Sequence, residues 1–308
     1  MMEVCLCTFN PRLDVLQRVL QSIANQKTLG ADNFIFMLVD NASNPPLAAE
    51  LLAPLEARGI VCRLLRETRS GIFHARNRAM HESSRSLILW IDDDTEFPPD
   101  YIAKCLAIAR QHPEIGCFGG KLALGPDCRF ARWTIPIHPW LAIIDRGEVP
   151  ITNKADHWGP WEPPTAGAVV RRQVVDRYLE FVAALPATYS IGQVGNKDLM
   201  RGEDSLLMRM AHRVDLACSY QPSLQGVHHL DNRRFRARYL LRLFYGYGRS
   251  YVRLERILGN DLPPLDFKSA WAFFWTTRPR KEHPNWGIFL LMKAWNLGFI
   301  AERASRRA

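Results

Sequence analysis

Apolar and polar positions follow two alternating rhythms over the first 125 residues. Residues 4–8 are a strand-like run, and Leu13, Leu16, Leu20 and Ile23 then recur at helical spacing. Asn10 predicts an N-cap for that helix and Pro11 its first residue. Residues 34–39 are continuously apolar, as in a strand buried on both faces, and stop at Asp40-Asn41-Ala42-Ser43. The same reading predicts strands over 60–65, 87–91 and 116–124, with helices over 71–83 and 101–111. Strands and helices alternating in this way predict an α/β protein on a mostly parallel sheet with crossover helices.

The rhythm breaks between Pro126 and Pro164, a stretch carrying Trp133, Trp140, Trp158 and Trp161. A long aperiodic loop in a compact domain is usually functional or disordered, and four tryptophans argue against disorder. They suit either ligand contact, by stacking their flat faces or burying lipid, or packing within the protein. Periodicity resumes with a strand over 166–170, a helix over 171–185, a helix over 205–213 and a last strand over 214–220. Beyond His228-His229 the chain turns basic and helical.

Charge divides the chain. The total is +9, but from Arg233 onward there are 16 Lys and Arg against 5 Asp and Glu, or +11, which leaves the first 232 residues at −2. The 308 residues exceed what one mid-sized core needs, so the expected domains are 1–230 and a basic helical extension over 231–308. In that extension Arg236, Arg238, Arg242, Arg249, Arg253 and Arg256 alternate with Tyr239, Leu240, Leu243, Phe244, Tyr247, Val252 and Ile257. Trp286, Phe289, Leu290, Leu291, Trp295 and Phe299 follow, then Arg303, Arg306 and Arg307. Such a pattern suits peripheral contact with a membrane surface through 233–308, or a helical subdomain packed by its apolar face. The best spanning candidate, 287–301, is interrupted by Lys293 and too short to cross a bilayer. Met1-Met2-Glu3 running straight into a strand gives no expected signal peptide, and the expected location is cytoplasmic. Seven scattered cysteines without C-x-x-C or zinc spacing read as small, reduced, buried hydrophobes.

In open parallel sheets, ligands bind beyond the carboxyl ends of the strands. Four predicted strands leave that edge with polar groups: Thr8 and Asn10, Asp40 and Asn41, Arg66 and Glu67, and Asp92 to Asp94. Asp and Asn also suit ordinary turns, which serves for Asp40 alone. Three adjacent carboxylates repel one another unless a cation or a donor neutralises them, and they are hard ligands suited to Mg²⁺ or Mn²⁺. Arg76 lies one turn into a helix opening at Gly71, whose N-terminus could meet an anion; a solvated face is the alternative for Ala75-Arg76-Asn77-Arg78. Glu203-Asp204 opens a helix, where a carboxylate caps, or stays ionised as a general base. Of His228 and His229, adjacent on a strand, at most one can reach a shared ion.

These motifs stand in a definite order: Thr8-Phe9-Asn10 after the first strand, V-D-N-A-S (39–43), S-G-I-F-H-A-R-N-R-A (70–79), I-D-D-D-T-E-F-P-P-D (91–100), A-G-A-V-V-R-R (166–172) and R-G-E-D-S-L-L-M-R (201–209). The series resembles the family 2 inverting glycosyltransferases of GT-A fold, over roughly residues 3–230. The resemblance implies a Rossmann-like central sheet flanked by helices and transfer from a nucleotide sugar, UDP-linked, with Mn²⁺ or Mg²⁺ as cofactor. It implies that Thr8, Phe9 and Asn10 border the base, Asp40 bonds it, and Gly71 and Arg76 lie near the nucleotide or diphosphate. Asp93 would approach the ribose, Asp94 would be the chief metal ligand with Asp92 supporting it, and His228 would touch metal or phosphate. Gly167-Ala168 would line the sugar and acceptor cleft, and Asp204 would deprotonate the acceptor hydroxyl with Glu203 beside it.

Two departures qualify this. Arg69 stands two residues before the motif glycine, where many relatives have Asn, and the Q-x-x-R-W motif of processive synthases is missing after Asp204. The second argues for transfer of one or a few sugars. A nucleotide-sugar hydrolase and an inactive sugar-nucleotide binding module are the competing readings. A nucleic-acid partner is not expected, because the main domain is net acidic and the basic aromatic stripe is short. A dinucleotide dehydrogenase is disfavoured by the first turn, Thr8-Phe9-Asn10-Pro11, which lacks the glycine fingerprint.

Overall fold

The structure, a computed structural model, describes residues 1–27, 34–186, 199, 201–260, 262–276 and 283–305. By contacts the chain forms two units: Met1–Asp127 with Ala142–Ala183 and Asp204–Leu230, and Cys128–Leu141 with Ala184–Glu203 and Asp231–Ala308.

The first unit is built on a sheet of nine strands among the described residues. β1 (Met2–Thr8), β2 (Phe34–Asn41), β3 (Cys62–Glu67) and β4 (Leu87–Ile91) run parallel in the order β3-β2-β1-β4. Three helices connect or precede them: α1 (Leu13–Ala24), the single turn α2 (Ala53–Glu56) and α3 (Ile72–Glu82). After β4 come the two-residue β5 (Thr95–Glu96), α4 (Tyr101–Gln111), β6 (Ile115–Leu124), β7 (Ile151–Asn153) and β8 (Ala168–Arg171). The unit ends with α5 (Arg172–Ala183), α6 (Glu203–His212), whose first residue belongs to the second unit, and β9 (Ala217–His228). β8 lies antiparallel between β4 and β6, while β9 pairs parallel with β6 and antiparallel with β5 and β7.

The core explains the apolar runs. β1 and β4 are buried throughout, and Val4, Leu6, Phe36, Leu38, Leu89 and Ile91 pack with Leu16, Leu20 and Ile23 of α1. Five of the seven cysteines are buried and none lies in a disulfide; burial pushes the Cys7 thiol up to about 12.

Asn10 is not the N-cap expected. α1 starts at Leu13 behind Arg12, and Asn10 takes a left-handed backbone (φ 47°) that short polar side chains tolerate. Its N–H donates to Ser43 Oγ and its Oδ1 accepts the Asn44 N–H, both at 2.9 Å, which ties the exit of β1 to the exit of β2. β9 outruns the expected strand, passing Pro222 where the ladder with β6 shifts register between the Gly119 and Lys121 pairs.

In the second unit, a 3₁₀ segment (Arg132–Leu141) accompanies α7 (Ala237–Ile257), α8 (Phe267–Thr276) and α9 (Trp286–Ala304). The arginines of α7 do not all face outward. Arg249 and Arg253 both bond Glu302 of α9, at 2.8 and 2.5 Å, and Arg256 donates to the carbonyls of Glu302, Arg303 and Leu262. Trp140 packs on Phe244 and Tyr247, and Trp133 lies against Gly287. Arg306 and Arg307 lie outside the described residues. No described helix is long and apolar enough to cross a membrane.

Candidate active site

Strand register assembles the site. Asp40 of β2 stands beside Thr8 of β1 on one side and Arg66 of β3 on the other, and Leu6 stands opposite Ile91. Two residues further along each strand, Thr8 therefore meets Asp93, and its hydroxyl donates to the Asp93 carboxylate.

Each acid of the turn has a partner. Asp92 faces Arg76 of α3 at 3.7 Å, and Asp94 lies 3.1 Å from His228 Nε2. The histidine arrives because β5 pairs with the end of β9, Thr95 opposite His228, directly after the acids. His229 points the other way, its Nε2 2.9 Å from Glu96, while its N–H donates to the Asp94 carbonyl at 2.7 Å. Asp92, Asp94 and His228 each offer a ligand atom within 4.8 Å of the others, and this is the one such trio among the described residues. Two carboxylates and an imidazole, two of the three residues buried, suit a divalent cation.

Arg76 is buried, not part of a solvated face, and it donates to Thr165 Oγ1 at 2.6 Å and lies over the Trp90 ring. Arg78 is the exposed one, paired with Glu82 along the helix at 2.9 Å. Gly71 (φ 130°), the N-cap of α3, donates its N–H to Asn41 Oδ1 at 2.9 Å, so that this N–H is already used. Asp40 is buried and holds its own loop, accepting from the N–H groups of Ser43 (2.9 Å) and Leu47 (3.2 Å) with Arg66 at 3.6 Å. Phe9 is 39% exposed beside them. Arg69 is turned onto Glu67 through two bonds of 2.9 and 3.0 Å, which hold that carboxyl down at about 2.

Glu203 is buried at the start of α6, and Asp204 is half-buried with its Oδ1 accepting the Ser205 N–H at 2.9 Å. The sequence reading missed Glu162. Burial pushes its carboxyl up to about 7, against a hydrogen bond from Ser205 and the charge of Arg209, while the Asp204 charge raises it further. Arg209, itself buried, stands 3.6 Å from Glu162 and 3.3 Å from Asp156. Three residues after Glu162, Thr165 receives Arg76, so one short stretch borders both Asp204 and the Arg76–Asp92 pair. Gly167 (φ 95°) follows, donating to the Trp90 carbonyl at 2.8 Å and accepting from Tyr101 Oη at 2.5 Å. Of the tryptophans in this region, Trp161 is buried and Trp158 is 53% exposed.

Comparison with known proteins gives this arrangement a class. Residues 3–179 match the family model described as glycosyl transferase family 2, and the chain belongs to that family. It has the GT-A fold and carries a glycosyltransferase domain. A mannosyltransferase from Pyrobaculum calidifontis, solved with GDP-Man and Mn²⁺, aligns over 99% of this chain and 76% of its own at TM-score 0.53 and 15% identity. S. aureus TarS (residues 1–349) aligns over 98% and 88% at TM-score 0.51 and 10% identity. An uncharacterized protein, y4gI, of Sinorhizobium fredii is 34% identical over 119 residues, which are 38% of this chain; the chain spans 13% of that relative's length.

Proposed function

We propose that the protein transfers a sugar, with inversion, from a nucleotide sugar to an acceptor hydroxyl, with residues 1–230 as the catalytic part. The observation that carries this reading is the meeting of Asp92, Asp94 and His228 at the carboxyl end of β4, on a family 2 chain. Those three residues would hold Mn²⁺ or Mg²⁺, which would supply positive charge against the diphosphate leaving group. The mannosyltransferase neighbour, solved with GDP-Man and Mn²⁺, supports a nucleotide-sugar donor and a divalent ion.

The remaining roles belong to this chain's side chains. Thr8, Phe9 and Asn10 border the donor's base, joined by Asp40 through the lone pairs its loop leaves over. Asp93, fixed by Thr8, takes the ribose, and Arg76, buried and charged, stabilises the growing negative charge of the diphosphate. Inversion needs a base on the sugar face opposite the leaving group. Asp204, on a segment separate from the acid turn, takes the acceptor proton as the oxygen attacks, with Glu203 beside it. Gly167 and Ala168 line the cleft. A UDP-sugar is the donor proposed.

The test is turnover of nucleotide sugars with acceptor present and withheld. EDTA or Asp94→Ala should lower the rate about a hundredfold or more, and Asp204→Asn should lower kcat by about 10²–10⁴ with little change in donor KM. Full activity in EDTA would remove the ion from the reading. Equal turnover without acceptor would make the protein a hydrolase, and retention of anomeric configuration in the product would exclude direct displacement.

A further inference from the structure

The second unit presents an aromatic surface that the proposed reaction does not use. α8 reads F-K-S-A-W-A-F-F-W-T, apolar around most of its circumference. A helix of that kind is ordinarily buried on all sides, but among the described residues α8 leaves three of its aromatic side chains half or more exposed. Phe273 stacks on Phe299 of α9 with ring centroids 4.7 Å apart, and Lys293 and Asn296 of α9 donate to the Phe274 carbonyl at its last turn. Lys293 also reaches the Trp275 carbonyl at 3.4 Å. These contacts fix which face of α8 turns outward.

That outward face carries Phe267, Trp271 and Trp275 at successive intervals of four, and they are 84%, 59% and 50% exposed. Phe267 stacks on Trp271 and Trp271 meets Trp275 edge to face, with centroids 6.3 and 5.6 Å apart, so the rings form one ridge. Trp286 (64% exposed) and Leu290 (53%) add apolar area on the first turns of α9.

We propose that this ridge is a lipid-contact surface, by which the chain lies peripherally on an anionic membrane. Flat amphipathic rings belong at the boundary between headgroups and acyl chains, where one edge is wet and the other apolar. Charge selects the kind of surface. The stretch from Arg233 onward carries 16 Lys and Arg against 5 Asp and Glu, and Lys268 adjoins Phe267 on α8 itself. Each cation near an anionic leaflet adds to the attraction. A second copy of this chain carries the same net positive stretch, which opposes self-association. Because no described helix is long and apolar enough to span a bilayer, this contact lies in the interface plane.

The test uses the full chain with vesicles of phosphatidylcholine alone and of phosphatidylcholine mixed with phosphatidylglycerol. The chain should float with the mixed vesicles and far less with the neutral ones, and Trp271→Ser with Trp275→Ser should weaken that binding about tenfold or more. On the unaltered chain, mixed vesicles should slow amide exchange over Phe267–Thr276, a readout that does not depend on a variant folding. Unchanged flotation of the double variant overturns the proposal, as does unslowed exchange on bound wild-type chain. So does a dimer in sedimentation that the double variant dissociates without any vesicle binding.

Discussion

Glu162 is the residue whose ionisation the surrounding structure alters most plainly near the proposed base. Its carboxyl ordinarily titrates near 4.5 and is pushed up to about 7 by burial. Between those values the folded chain holds the proton more tightly than the unfolded chain does. The stability from this group is therefore full below about 4.5 and is lost as pH rises through about 7. A displacement of that size on a buried carboxyl corresponds to on the order of 3 kcal/mol. Glu162→Gln should flatten the fall in unfolding free energy between pH 4.5 and 8, measured by urea denaturation; parallel wild-type and variant curves would show that Glu162 is not its source. No pattern in Trp161-Glu162-Pro163-Pro164 advertised this residue, because its setting comes from Ser205 and Arg209, more than forty positions on. The acid turn was legible for the opposite reason. Three carboxylates end a five-residue apolar run, and the strand itself delivers them to the sheet edge. Asn10 was misread because a good capping residue is equally a good left-handed turn residue, and only the Ser43 and Asn44 partners decide between them.

At the level of elements, Gly167 is where the site's geometry rests on a turn. Its φ of 95° disfavours a side chain, and a Cβ there would stand 2.7 Å from Tyr101 Oη and 2.9 Å from Phe97 Cε1, both in buried rings. Gly167→Ala should cost about 2–4 kcal/mol, from strained backbone and overpacking together. It should also lower activity, because the turn from Thr165 to Ala168 presents the hydroxyl that Arg76 engages. Gly147→Ala is the control: its φ is 89° but no atom lies within 4 Å of the added Cβ, so only the backbone part, about 1 kcal/mol, should appear. Thermal melts of the two variants separate the terms, and equal losses would show that the Phe97–Tyr101 contact does not constrain the turn. The long apolar strands were readable because their period and length exclude alternatives. β5 was not, since two residues have no period, yet its pairing with β9 is what sets His228 against Asp94. The expected last strand ends at Tyr220, whereas β9 runs on past Pro222 to His228 because a shift in ladder register absorbs the proline.

For the whole molecule, the separation of charge into a slightly acidic first part and a strongly basic remainder was visible in the sequence, but the use of the arginines was not. A count of charges cannot show that Arg249 and Arg253 share Glu302, about fifty residues away, or that burial of Glu302 is outweighed by those bonds so that its carboxyl stays below the usual range. The division into units draws segment 128–141 from the middle of the chain into association with the C-terminal helices, which no local pattern announces. A ligand that binds only the folded chain stabilises all of it. At a hundred times its dissociation constant, the true nucleotide should add about 2.7 kcal/mol of unfolding free energy. If Asp92, Asp94 and His228 hold an ion that supplies charge against the diphosphate, nucleotide and Mn²⁺ should stabilise more together than the sum of each alone, and Asp94→Ala should abolish that excess without removing the effect of base contacts near Thr8. Thermal shifts with UDP and GDP, each with and without Mn²⁺, measure this directly. A larger excess with GDP would replace the uridine assignment while keeping the ion. Strict additivity in the wild type would mean that metal and nucleotide bind independently, and the acid turn would lose its part in holding the leaving group.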